Sequence, residues 1–263
     1  MDKELKDDQE LIQELNETYG DEEDIDEDVL KKRSHHWFLR LASFIVVAVF
    51  LGYALNYWFS LWKWPFDVIE HQHSELSGDP MVQELQKSVV QLKAFTSEGE
   101  RNGTGFNIRE DGLIVTNRHL VEGAHVIAVS FVEEGGFQAV SWNYSQDYDL
   151  AVLELEAEGL PFVQFQKESS MDTGEELIVI GNPLSYRRTA SRGNIKGYIN
   201  NREGNQVLLV SIPVFPGSSG SPVFNKHKEV VGVIYAYVNP NSDENAFLSL
   251  AVPAPQIITL LEN

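Results

Sequence analysis

Hydrophobic and polar positions divide the chain into three stretches. Residues 1–30 are mostly acidic and read as a solvated, disordered tail, with a short amphipathic helix centred on Leu11, Ile12 and Leu15 as an option. From Leu41 to Trp62 no charged side chain occurs. Beyond a polar stretch at 65–78, "DPMVQEL" starts a short helix, with Asp79 as N-cap and Pro80 in the first helical position. The pattern then shortens to β-branched runs such as "GLIVTNRHLV", "DLAVLELE", "EELIVIGNP", "NQVLLVSIPVF" and "EVVGVIYAYV", punctuated by Gly, Asn, Asp and Pro. Many short strands at close spacing predict an all-β barrel or sandwich. The final "APQIITLLEN" predicts a short closing helix.

The uncharged stretch from Leu41 to Trp62, 22 residues, would span ~33 Å as a helix, enough for a bilayer core. Lys31, Lys32, Arg33 and Arg40 precede it, against Lys63 after it, so the N-terminus is expected in the cytoplasm and all that follows Trp62 outside. Trp37 at one end and Tyr57, Trp58, Trp62 and Trp64 at the other suit the two interfaces. A core helix rarely runs this long without charge. A cleaved signal peptide would not start so far into the chain, and no A-x-A-like site follows. The expected organisation is a tail (1–36), a transmembrane anchor (37–64), a stalk (65–79) and a folded domain (80–263). The lipid bilayer is a partner through residues 41–62. Ala48 and Gly52 lie four apart, a weak pairing signal that leaves a homo-oligomer open.

Charge sharpens this picture. The net charge is −20, of which −12 falls in residues 1–30 (fourteen Asp/Glu against two Lys), leaving −8 for the remainder. Lys and Arg form no long stripe, so nucleic acid is not an expected partner. There is no cysteine, which excludes disulfides, thiolate catalysis and Cys-based zinc sites. His71 and His73 stand close together but lack further ligands, so no metal and no cofactor is expected.

The candidate chemistry centres on "VFPGSSGSPVFN", residues 214–225. Turn chemistry alone would account for its serines and glycines; a nucleophile needs a base and an orienting acid. Of the seven histidines, His119 follows the apolar run "LIVTNR" directly, and a strand end holds a general base well. For the acid, "DYDLAVLEL" offers both Asp147 and Asp149 at the edge of an alternating strand.

These blocks, in this order, resemble the His, Asp and Ser blocks of trypsin-like (chymotrypsin-fold) serine proteases, and most closely the HtrA (Deg) type. The chain has Thr116-Asn117-Arg118-His119-Leu120-Val121, Asp149-Leu150-Ala151-Val152-Leu153, Gly181-Asn182-Pro183, Gly217-Ser218-Ser219-Gly220 and a late Ala251-Val252-Pro253. The wording "GSSGSPVFN" also resembles bacterial glutamyl endopeptidases of the same fold. The resemblance covers about residues 80–262 and implies two six-stranded antiparallel β-barrels after the transmembrane helix. It implies Ser219 as nucleophile, His119 as general base and acid, and Asp149 as the residue orienting His119. The oxyanion hole would be formed by the turn Gly217, Ser218 and Ser219, with the N–H groups of Gly217 and Ser219 as donors. Ser218 and Ser221 depart from the commoner Asn or Asp and Gly. The chain shows no Ile-Val-Gly-Gly activation site, and it ends after one closing helix, so no PDZ domain is expected.

In this fold the strand after the nucleophile turn lines the specificity pocket, here Ile234, Tyr235, Ala236 and Tyr237, with Pro213 six residues before Ser219. No charge lies on either segment, which argues against selection of Lys or Arg and for small or medium aliphatic side chains. The expected protein is a serine endopeptidase on the bacterial inner membrane. Its N-terminus would be cytoplasmic and its protease domain periplasmic or extracellular, acting on proteins or peptides, misfolded ones included, in quality control. The competing reading is a catalytically silent protease-fold module that binds partners at the membrane.

Overall fold

The computed structural model describes residues 27–166, 171–182, 188–238 and 248–262, and within 27–36 and 59–72 the backbone alone. The tail up to residue 26 and Pro183 lie outside the described residues, and so does the side chain of His71. The chain divides into two compact units, residues 1–63 and 64–263.

Helix α1, Glu27–Leu76, starts ten residues ahead of the expected anchor and continues through most of the stretch read as a stalk. Its segment Trp37–Trp58 is long and apolar enough to cross a membrane. Apolar side chains occur all round it, and they are exposed: Phe44 is 73% and Tyr53 80% accessible. A helix without a polar face is what a hydrocarbon environment accommodates.

In the second unit, helix α2 (Pro80–Ser88) begins as expected. The Asp79 carboxylate accepts from the Met81 N–H at 2.8 Å, and Val82 and Leu85 are buried. Strands β1 (Val89–Thr96), β2 (Gly99–Asn107), β3 (Leu113–Thr116), β4 (Ala124–Ser130), β5 (Gly136–Gln138), β6 (Ser141–Tyr144) and β7 (Ala151–Glu154) form one antiparallel sheet in the order β5-β4-β1-β2-β3-β7-β6. The two edge strands of this sheet, β5 and β6, are neighbours in sequence, joined only by Ala139 and Val140. Ala139 donates its N–H to Ile127 O of β4 at 3.0 Å, and Val140 donates to Glu154 O of β7 at 2.9 Å. The segment 136–144 is thus one strand bent at a corner, and it closes the sheet by bonding to both ends. Counted so, the expected six strands are present.

The second barrel is closed outright. Strands β8 (Glu176–Gly181), β9 (Thr189–Asn200), β10 (Gln206–Ser211), β11 (Pro222–Phe224), β12 (Val230–Val238) and β13 (Leu248–Pro253) run in the order β10-β13-β12-β11-β8-β9. A closing helix, Pro255–Glu262, buries Ile257 and Leu260.

The run "ELIVIG" of β8 explains how two barrels share one core. Leu177 and Val179 point into the second barrel with Leu208, Val210 and Ile234. The intervening Ile178 and Ile180 belong to a different cluster, with Phe106 and Val115 of the first barrel, Val82 and Leu85 of α2, and Ile257. In β3, likewise, Ile114 fills the first barrel while Leu113 and Val115 face this shared cluster. Successive strand residues point to opposite faces, so a strand apolar on both faces serves two cores. The candidate site residues sit on loops around this shared core.

Candidate active site

β3 ends at Thr116, and the chain passes through Asn117 into a single helical turn, Arg118–Val121, which carries His119. His119 therefore stands on a turn just past the strand rather than at its end. Two carbonyls of that turn, His119 O and Glu122 O, accept from the Arg101 guanidinium at 2.8 and 2.9 Å. Arg101 thus caps the turn and fixes the His119 backbone.

Asp149 precedes β7 and grips His119 twice. Its Oδ2 lies 2.6 Å from His119 Nδ1, and its Oδ1 accepts from the His119 backbone N–H at 2.9 Å. A carboxylate only accepts, so Nδ1 carries the proton and the Nε2 lone pair is left for other work. Asn117 Nδ2 donates to Asp149 O at 2.8 Å, tying the acid's own backbone to the His segment. Asp147, the other candidate acid, lines the same cleft but does not bond to His119.

The turn 217–220, which carries the candidate nucleophile Ser219, lies between the barrels. Ser219 O accepts from the Thr104 N–H of β2 at 2.8 Å, and Gly220 donates to Ile234 O of β12 at 2.8 Å. The backbone N–H groups alternate in use. Those of Ser218, Gly220 and Ser221 donate to Phe215 O, Ile234 O and Ser218 O, whereas among the described residues those of Gly217 and Ser219 have no protein acceptor. Gly217 adopts φ +98°, a conformation costly for any residue with a Cβ. The result is two free donors flanking a bonded one, the layout an oxyanion hole requires. Among the described residues, no hydrogen bond joins Ser219 Oγ to His119; such contacts often tighten only when substrate binds. The other serines are buried. Ser218 Oγ accepts from the Phe215 N–H at 3.3 Å, and Ser221 Oγ has no partner among the described residues.

Beside His119 lies a cleft of about 360 Å³, lined among others by Asp149, Tyr148, Tyr235, Glu122 and Glu203. Arg118 neutralises Glu122 at 2.6 Å and covers the Tyr144 ring at 4.8 Å. Burial pushes the Tyr235 phenol above its ordinary value, opposed by a hydrogen bond with Asn201; burial, and then the Asp147 charge, raise Tyr148. The structure spreads the expected pocket residues. Pro213 and Ile234 are buried, Tyr235 and Ala236 are half-buried, and Tyr237 is 69% exposed.

Sequence reasoning missed Thr104, Arg101 and Arg188, and marked Asn182 only as part of the Gly181-Asn182-Pro183 block without a role. Asn182 is buried; its Nδ2 reaches Val90 O and Thr104 Oγ1, both at 3.1 Å, and its Oδ1 accepts from the Arg188 N–H at 3.1 Å. Arg188 is buried with φ +54°, and its guanidinium donates to Val89 O and Ser130 O of the first barrel. The only advance signal was the pair of glycines around Thr104, since glycine inside a strand marks close approach of another backbone.

Two facing β-barrels with a His-Asp pair on one and a Gly-x-Ser-Gly turn on the other define a chymotrypsin-like serine peptidase architecture. Residues 103–233 match the trypsin-like peptidase domain family. The chain is 34% identical over 139 residues to the "Probable periplasmic serine endoprotease DegP-like" of Hahella chejuensis, covering 52% of this chain and 30% of that one. It is 32% identical over 164 residues to the protein of the same name from Chlamydia trachomatis, covering 59% and 32%. The chain thus spans about a third of the length of these relatives. Among solved structures it resembles the active form of the Rv3671c protease from M. tuberculosis, with TM-score 0.62 at 25% identity, covering 71% of this chain and 85% of that one. The HtrA-type protease AlgW with a tripeptide shares the fold, with TM-score 0.62 at 21% identity, covering 69% and 61%. Over residues 103–233 this chain is thus similar to trypsin-like peptidase domains, and its curated relatives are DegP-like serine endoproteases.

Proposed function

We propose that the protein is a membrane-anchored serine endopeptidase that cuts proteins outside the cytoplasm through an acyl-enzyme. The two hydrogen bonds that His119 donates to the Asp149 carboxylate carry this reading, because they leave Nε2 as the free base. Ser219 Oγ attacks the scissile carbonyl while His119 Nε2 takes its proton. Negative charge develops on the carbonyl oxygen, where the Gly217 and Ser219 N–H groups accommodate it; one such donor contributes ~3–4 kcal/mol in acyl transfer. His119 then returns the proton to the leaving amine, and water repeats the sequence to release the acid. Asp149 holds the imidazole in one tautomer throughout.

Pro213, Ile234, Tyr235, Ala236 and Tyr237 bring no charge to the specificity pocket, which favours small or medium aliphatic side chains before the cut. Residues 41–62 hold the enzyme in the bilayer, its protease domain on the periplasmic or extracellular side, with misfolded envelope proteins as substrates. One observation favours a silent binding module instead, namely that Ser219 Oγ is not bonded to His119. Fluorophosphonate labelling of the full chain in detergent, with casein cleavage alongside, separates the two. The enzyme labels and cuts, and Ser219→Ala abolishes both; an unlabelled wild type that still captures casein is the binding module. A cytoplasm-only reporter fused after Asn263 stays dark if the orientation is right, and a bright one reverses it.

A further inference from the structure

We propose that Thr104 is the positioning residue of the oxyanion turn, its hydroxyl clamping the peptide that lies between the two free donors. The proposal deepens the endopeptidase reading and rests on it for its kinetic part.

Three consecutive peptides matter: 216–217, 217–218 and 218–219. The first and third carry the free N–H groups of Gly217 and Ser219. The middle one is held at both ends, its oxygen, Gly217 O, accepting from Thr104 Oγ1 at 2.8 Å and its Ser218 N–H donating to Phe215 O at 2.9 Å. The direction of both outer donors is set by rotation about the Cα atoms on either side of this middle peptide. Gly217, the more permissive of these, would turn freely without the clamp.

The proton on Thr104 is fixed by its partners. Its Oγ1 faces the Asn182 N–H at 2.9 Å and Asn182 Nδ2 at 3.1 Å, both donors. Gly217 O can only accept, so the single hydroxyl hydrogen goes there. Thr104 is fully buried, so bulk solvent does not reach these bonds. Its backbone acts at the same place, the N–H donating to Ser219 O and the carbonyl accepting from Thr116 Oγ1 at 2.7 Å, two residues before the His119 turn.

The flanking glycines serve the opposite face of β2. A Cβ at 103 would stand 2.3 Å from Leu120 Cδ1, and one at 105 would stand 2.9 Å from Ile114 Cγ2, both in the first-barrel core. Gly103 and Gly105 thus seat β2 tightly on that core, while Thr104 between them faces the turn at 217–219. Asn182, behind it, directly follows β8, so the Thr104 hydroxyl joins the oxyanion turn to the β8 loop, while its carbonyl holds the strand that leads to His119.

The test uses full-length Thr104→Val and Thr104→Ser, with Ser249→Ala as control for losing a buried hydroxyl elsewhere in the barrel (Ser249 Oγ donates to Ile212 O at 2.8 Å). Valine keeps the shape and removes the clamp. It should lower kcat by about 100-fold and leave KM within about threefold, because the lost geometry matters at the transition state. Serine should stay within about threefold of wild type on both. Amide exchange of residues 214–221, read by mass spectrometry, should quicken in the valine variant while β1 stays protected. This readout needs no turnover. If wild type proves inert but exchange quickens only in the valine variant, the positioning role stands and the enzyme reading falls. Should the valine variant not fold, Thr104→Ala carries the same comparison. Unchanged exchange with unchanged kcat, or a loss equalled by Ser249→Ala, overturns the proposal.

Discussion

His119 and Asp149 are joined at two points, ring nitrogen to Oδ2 at 2.6 Å and backbone N–H to Oδ1 at 2.9 Å. Asp149 therefore fixes both the place of the residue and the tautomer of its ring. Asp149→Asn would present an amide N–H2 that competes to donate, turning the imidazole's lone pair inward. Turnover should fall by roughly 10⁴ with the fold retained, since the wrong tautomer disables the base. Steady-state kinetics beside a melting curve check this, and a loss under about tenfold would show that Asp149 does not orient the base.

Gly220 cannot be replaced. It has φ +84°, and a Cβ there would lie 2.0 Å from Thr104 O and 2.6 Å from Thr116 Oγ1. Gly220→Ala should displace the nucleophile turn and abolish fluorophosphonate labelling. Gly204 has a similar φ of +87° but open space around it, so Gly204→Ala should cost only about 1 kcal/mol and keep labelling. Equal behaviour of the two variants would mean that backbone strain, not the contact with Thr104, is what matters at 220.

Ser221 and Gly181 should be coupled. A Cβ on Gly181 would meet Ser221 Oγ at 2.2 Å but Ser221 Cβ only at 3.3 Å. Ser221→Ala removes a buried hydroxyl without a partner, so it should leave activity within about tenfold and stability within about 1 kcal/mol. Gly181→Ala alone should destabilise, and adding Ser221→Ala should recover about 1 kcal/mol or more of that loss. A double-mutant cycle by chemical denaturation gives the coupling, and simple additivity would contradict it. Ser218→Ala, which gives up one bond to the Phe215 N–H, should likewise cost turnover about tenfold or less.

The base is tested by removing it. His119→Ala should lower kcat/KM by roughly 10³-fold or more with the fold retained, and a loss under about tenfold would speak against a histidine base. Tyr235 lines the same cleft, and its burial raises the phenol above its ordinary value. The folded state binds that proton more tightly than the unfolded chain does. Its contribution to stability is present below the unfolded value and is lost only as pH rises through the raised folded value. Tyr235→Phe should accordingly leave the pH profile of kcat/KM unchanged through neutral pH, and a shifted profile in this variant would tie the phenol to the base.

The sequence by itself determined what is local. An uncharged run of 22 residues, the N-cap at Asp79, the alternating strands and the order of the His119, Asp149 and Ser219 blocks all lie within short windows, where side-chain period and turn chemistry decide the outcome. It could not choose between Asp147 and Asp149 from the residues alone, because both precede the same strand; only the folded loop brings one carboxylate onto Nδ1 and the N–H of His119. Nor could it show that 136–144 is one strand bent at Ala139, since closure depends on Ile127 and Glu154, distant in sequence. Thr104 was the least legible of all. Its hydroxyl reaches Asn182, 78 residues on, and Gly217, 113 residues on. A buried hydroxyl's role is set by which donors and acceptors the two barrels press against it, and that juxtaposition exists only once both have packed on their shared core.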